Sequence, residues 1–240
     1  MPESFEISLE EIEGFHNAIK QGKDNKLSII TEFVEQHGEV AADTTVEISE
    51  NDGNVTVTTS NGLELNDLLP DNYRFIRGSG KYFWANGVRK TIEVPSDFQS
   101  TEIAKQQLSH ELGHVLDPGF EELSQEITAH WNMVTDSSDS SLDNAAAAVN
   151  KNLELEIQAH NYGKIVSQAL GVDQVRYEDR ITNQLQEYLL DGLEKLATVI
   201  DWDSEDVKDK KILILDPISQ NKVDISLGEV ESMLIKKYEE

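Results

Sequence analysis

The chain contains no cysteine, so neither a disulfide framework nor a thiolate metal site is open to it. Any metal it holds must sit on imidazole and carboxylate groups. Basic residues are scarce: 20 Lys and Arg stand against 46 Asp and Glu, a formal net charge of −26. Phosphate binding wants the opposite sign, so nucleic acid is excluded as an expected partner. Anionic membrane surfaces are disfavoured for the same reason. No apolar run approaches the roughly 20 residues of a membrane span. The stretch Met1 to Glu6 has neither a basic n-region nor an apolar h-region, so no signal peptide is read and a cytoplasmic location is expected. At 240 residues the chain is long enough for one large domain or two small ones, with a core that needs no disulfides.

Against these absences stands one dense cluster of chemistry, His110-Glu111-Leu112-Gly113-His114, which reads H-E-x-x-H. Residues four apart share a face of an α-helix, so His110 and His114 can hold one metal ion together. Glu111 is one step round the helix, where its carboxylate can reach a water on the metal without ligating the metal itself. This arrangement suits Zn²⁺, with Glu111 as general base. The surrounding residues predict the helix that the motif requires. Ser100 or Thr101 can cap it, and Glu102 suits its first turn. Ile103, Leu108, Leu112, Val115 and Leu116 recur at helical spacing, and Pro118-Gly119 ends the pattern.

The rest of the chain divides by periodicity. Ser8 to Lys20 and Lys26 to His37 read as helices, the second stopped by Gly38. From Thr44 to Pro95 the pattern becomes β. Val46 and Ile48, then Val55 and Val57, alternate with polar neighbours, and Asp52-Gly53, Asn61-Gly62 and Asn86-Gly87 are hairpin-turn dipeptides. Tyr82 to Trp84 and Thr91 to Val94 flank the last of these. A small antiparallel meander is expected, with a short helix at Asn66 to Leu69. Helices follow at Phe120 to Val134, Ala145 to Leu170 and Asp173 to Ile200, with a polar loop or hinge at Asp136 to Asp143. Lys211 to Asp216 and Lys222 to Ile225 read as a hairpin, and a last helix is expected from Leu227 to Tyr238. The fold class is therefore α+β and mainly helical, with a small antiparallel sheet preceding the H-E-x-x-H helix. Three segments are expected: 1–42, a core at 43–200, and 201–240.

A catalytic zinc site usually has three protein ligands and one open position. A metzincin would continue with glycine at 117 and histidine at 120; Asp117 and Phe120 exclude that class. The remaining common choice is a glutamate on a later helix packed antiparallel to the first. Glu156 and Glu126 are the candidates, and Glu156 leaves the chain more length in which to return. The two sit in a short near-repeat, Glu126-Ile-Thr-Ala-His130 and Glu156-Ile-Gln-Ala-His160. Glu154 reads as a solvated helix carboxylate, and His16 and His37 have no partner signal; His130 stands to Glu126 as His160 does to Glu156 and reads as a half-buried helix histidine. Asp201 to Asp206 is calcium-like only superficially, because it lacks the loop glycine and terminal glutamate of an EF-hand.

The residues around Glu156 make the chain resemble the zincin metallopeptidases of the glutamate-ligand class, the gluzincins. Within them it is most similar to minimal domains of the ImmA/IrrE type and, more distantly, to the catalytic domain of anthrax lethal factor. Those families pair an H-E-x-G-H helix with a later Glu-x-x-Ala helix. Here these are His110 to His114 and Glu156-Ile157-Gln158-Ala159, followed by Tyr162-Gly163. The resemblance covers about residues 90 to 170. It implies a zincin-like core, Zn²⁺ on His110, His114 and Glu156, and hydrolysis of peptide bonds in a protein or peptide substrate. Many gluzincins carry an acidic residue four after the ligand glutamate; this chain has His160. His160, Tyr162 and Tyr177 are candidates for oxyanion assistance, and His160 equally for supporting or joining the ligands. The strand Lys90 to Val94 is expected to offer its edge to substrate. The alternative function is a zinc-binding regulatory or partner-binding module with little general proteolysis.

Overall fold

In the computed structural model, residues 30–34, 43–136 and 138–239 are described. The expected helix at Ser8 to Lys20, with His16, lies outside them, as does His37. Of the second expected helix, 30–34 is described and is helical. The architecture is α+β. Beyond residues 30–34, the helices of the described residues are α1 (Glu102–Leu116), α2 (Phe120–Asn132), α3 (Asp139–Ala169), α4 (Gln174–Ala197) and α5 (Leu227–Glu239). Their strands are β1 (Val46–Asn51), β2 (Asn54–Thr59), β3 (Arg74–Arg77), β4 (Trp84–Asn86), β5 (Thr91–Val94), β6 (Lys211–Leu215) and β7 (Lys222–Ser226). No described helix is long and apolar enough to cross a membrane.

The residues group into two compact units. One comprises the described chain up to Pro118 together with Ala159–Asp179; the other comprises Gly119–Gln158 and the chain from Arg180 onward. The division falls at Pro118 and inside the continuous helices α3 and α4.

In the first unit, β1 and β2 form an antiparallel hairpin paired from Val46↔Thr59 to Asn51↔Asn54. Its two-residue turn puts both Asp52 and Gly53 at positive φ, 51° and 80°. That is the turn whose twist matches a hairpin, and it needs residues that tolerate the left-handed region. The rest of the β region is not the antiparallel meander that the alternation suggested. It is a separate three-stranded sheet ordered β3-β5-β4, in which β3 runs parallel to β5 and β4 antiparallel to it. The strand β3 escapes the pattern because Arg74 to Arg77 is too short to show period two. The turn at Asn86-Gly87 is also longer than two residues. Asn86 Oδ1 accepts from the N–H groups of Val88 and Arg89 at 3.1 and 2.9 Å, and the left-handed residue is Lys90, at φ 55°. The short helix expected near Asn66 is a single 3-10 turn, Leu65–Leu68, with Leu65 and Leu68 fully buried. Asn66 accepts from Val57 N–H at 2.8 Å and donates to Val55 C=O at 3.0 Å, so its amide acts as one residue of a neighbouring strand.

Helix α1 starts as its sequence predicts, with Thr101 Oγ1 accepting from Ala104 N–H at 3.2 Å. Leu108 and Leu112 are fully buried, each contributing about 1.5–3 kcal/mol of transfer free energy. Lys105 is buried too, and its ammonium donates to the carbonyls of Thr44 and Gly171 at 3.3 and 3.4 Å. Gly171, at φ 63°, terminates α3, and Asp173 caps α4 through Val175 and Arg176 N–H.

In the second unit the core joins Leu142, Val149, Leu153 and Ile157 of α3 to Leu185 and Leu193 of α4, Ile212 and Ile214 of β6, and Leu227 and Val230 of α5. The polar run after Asp136 is less of a loop than its composition suggests. Asp136 Oδ1 accepts from Ser138 and Ser141, Ser138 Oγ accepts from Ser141 N–H, and α3 is already helical at Asp139. Cap chemistry therefore starts the helix six residues earlier than the apolar pattern does. The hairpin β6-β7 is antiparallel as expected. Asn150 of α3 donates to Leu213 C=O at 2.9 Å and accepts from Leu215 N–H at 2.7 Å. Replacing Asn150 with alanine leaves two backbone groups of β6 without this partner, the Leu215 N–H of them buried, and a loss of roughly 1–3 kcal/mol is expected on urea denaturation. A loss below about 0.5 kcal/mol would mean that water replaces the amide there.

Candidate metal centre

His110 and His114 sit one turn apart on α1, each only 7% exposed, with their rings edge to face at a centroid distance of 4.6 Å. What brings α3 to this face is the absence of side chains. A Cβ placed on Gly113 would lie 1.9 Å from the Ala159 carbonyl oxygen and 2.8 Å from Gly163 N. A Cβ placed on Gly163 would lie 2.8 Å from Ser109 O. The two backbones are thus in direct contact, which only glycine permits at these positions. Ala159 is fully buried opposite Gly113.

Glu156, Ala159, His160 and Gly163 recur at the i, i+3, i+4, i+7 spacing of one helix face. The donor atoms of His110, His114 and Glu156 lie within 4.8 Å of one another, and all three residues are buried. Among the described residues this is the group of metal-ligating side chains that could hold an ion. Two nitrogens and one carboxylate are the donor set of a zinc site with an open fourth position. Two ligands of one zinc ion stand at most about 4.2 Å apart, close to the upper separation of these donor atoms.

The other candidates separate cleanly. Glu126 does not join the group; it pairs with Lys151 at 3.1 Å, beside Glu154 at 3.0 Å. Those two carboxylates, Glu154 first, hold the Lys151 ammonium above its ordinary pKa. Glu154 also lies 3.9 Å from Lys222. His130 contacts Asn144 Oδ1 at 3.2 Å. His160 is beside the ligand histidines: its Nδ1 is 3.3 Å from His110 Nδ1 and the ring centroids are 4.4 Å apart. Tyr162 is half-buried and lies about 100° round α3 from Gly163, off the face that carries Glu156 and His160.

Glu111 is half-exposed, and its Oε2 accepts from the Ala85 main-chain N–H at 2.6 Å. This contact ties the carboxylate to β4. No side-chain signal could have revealed it, because the donor is a backbone amide. It also relocates the expected substrate edge. The strand β5 is central in its sheet, whereas β4 is an edge strand, and the Ala85 N–H that meets Glu111 is directed away from the β5 pairing.

Tyr177 is buried at 1% exposure, and its hydroxyl occupies the notch that Gly163 leaves in α3. Burial pushes its phenol well above the usual tyrosine pKa. Among the described residues that hydroxyl has no hydrogen-bond partner. A group so enclosed has no path to substrate. The chain matches no protein-family model, no curated protein and no solved structure.

Gly113→Ala is expected to lower stability by about 1–3 kcal/mol by overpacking, although alanine is the better helix former by about 1 kcal/mol. It should also weaken zinc uptake; chemical denaturation and a zinc titration measure both, and an unchanged pair of values would mean the helices do not touch there. Tyr177→Phe is expected to leave zinc affinity intact and to gain roughly 1 kcal/mol, because it deletes a buried hydroxyl. The phenol's pKa is raised in the folded chain, so wild type keeps its stability below pH about 10 and loses it above, where the unfolded tyrosine ionises first. The phenylalanine variant should lack that alkaline loss; an identical pH dependence in urea denaturation would contradict the assignment.

Proposed function

We propose that this protein is a zinc-dependent peptidase. The observation that carries the reading is the buried convergence of His110 and His114 on α1 with Glu156 on α3, next to a carboxylate, Glu111, that is not one of the ligands. His110, His114 and Glu156 hold the ion. Zinc bound there supplies a Lewis acid that polarises a carbonyl and lowers the pKa of water toward about 7.

The chain's own groups do the rest. With Oε2 held on Ala85 N–H, Glu111 keeps Oε1 to accept a proton from the attacking water and to return it to the departing amine. β4 is the edge strand of its sheet, and an extended peptide lying beside it would bring its carbonyl past Glu111. His160 stays with the ligand histidines, as its contact with His110 indicates.

The test combines metal analysis with a peptide library. Wild-type protein is expected to carry about one zinc per chain and to cleave peptides. Glu111→Gln should retain the metal and lose hydrolysis by about two to four orders of magnitude, the scale of general-base catalysis. Undiminished cleavage by that variant would defeat the mechanism. Zinc without cleavage of any peptide would instead make the site a regulatory or partner-binding element.

A further inference from the structure

We infer that His160 is a positioning residue for the metal: it accepts a hydrogen bond from His110 and so fixes the tautomer in which His110 binds. The inference rests on the zinc reading above, and concerns a residue that the ligand set leaves out. His110 Nδ1 and His160 Nδ1 are 3.3 Å apart, both residues are buried, and their rings are tilted by 38°.

Two ring nitrogens form a hydrogen bond only if one carries the proton and the other a lone pair. The Nδ1 contact leaves His110 its Nε2 as the atom for the ion. A neutral imidazole that ligates through Nε2 carries its proton on Nδ1. His110 is therefore the donor, His160 Nδ1 the acceptor, and His160 keeps its own proton on Nε2.

The geometry behind this is local. His160 follows Glu156 by one turn on the same face of α3, and Ala159 between them packs against Gly113 of α1. One helix thus provides a ligand and, a turn later, the support for a ligand on another helix. Metal-bound histidines usually give their second N–H to a carboxylate, a carbonyl or water. An imidazole in that position is a neutral acceptor, so it orients His110 without adding a further negative charge beside Glu156 and Glu111.

The experiment measures the zinc dissociation constant by competition with a chromogenic chelator for wild type, His160→Phe and His160→Asn. Phenylalanine keeps a ring but has no acceptor, and a loss of about 10- to 100-fold in affinity is expected. Asparagine Oδ1 stands where histidine Nδ1 does, and should hold affinity within about threefold of wild type, a rescue that simple space-filling would not give. Denaturation in EDTA checks that both metal-free variants are folded. A phenylalanine variant that binds zinc as tightly as wild type would overturn the inference, as would equal losses in both variants. Long-range ¹H–¹⁵N spectra of the zinc-loaded wild type supply a readout that needs no substitution. They should show the proton of His110 on Nδ1 and that of His160 on Nε2; the reverse placement refutes the role even if zinc binds. Wild-type protein that takes up no zinc would overturn the metal reading itself, and this inference with it.

Discussion

Backbone-to-backbone contact between α1 and α3 is the constraint on which the candidate site depends. Helices with ordinary side chains at their crossing pack 8–10 Å apart. Here Gly113 and Gly163 remove the side chains at the crossing, and the carbonyl of Ala159 occupies the place where a Cβ would be. That approach determines which side chains can meet. His110 lies about a turn before Gly113 and His114 directly after it, and Glu156 and His160 stand in the same way to Ala159. The ligands need no long reach because the helices themselves are close.

Within each unit the chain uses polar side chains to secure backbone that would otherwise be left open. Asn66 caps the edge of β2, and Asn150 does the same for β6. Lys105 gathers two carbonyls from opposite ends of the first unit's sequence. Glu111 belongs to this pattern as well, since it takes up a main-chain N–H of the edge strand β4. A carboxylate in that position is oriented by the sheet, so its second oxygen has a defined direction. The bond joins the β region, whose residues carry little recognisable chemistry, to the helix that carries most of it.

Much of the helical part was legible because its signals are local. Thr101 as cap, Pro118-Gly119 as terminator and Gly171 as the left-handed stop act within a turn of where they occur. The hairpins at Asp52-Gly53 and at β6-β7 were legible for the same reason. The three-stranded sheet was not. Its parallel pairing of Arg74 to Arg77 with Thr91 to Val94 is a contact between segments that no single hairpin turn joins. The early start of α3 was hidden by composition, since Asp136, Ser138 and Ser141 read equally as loop and as cap. Glu126 and Glu156 carry almost the same local sequence, so no local rule could separate them.

By itself the sequence determined that His110 and His114 share a helix face with Glu111 beside them, because the 3.6-residue period makes that a property of the segment alone. It also determined that any metal must take nitrogen and oxygen ligands, because there is no thiol. Only the tertiary structure decided that Glu156 rather than Glu126 meets the histidines, that His160 lies against His110, and that Ala85 N–H holds Glu111. These are distances between segments far apart in the chain. They depend on how closely two helices approach and on which strand ends at the sheet edge, which no single segment encodes.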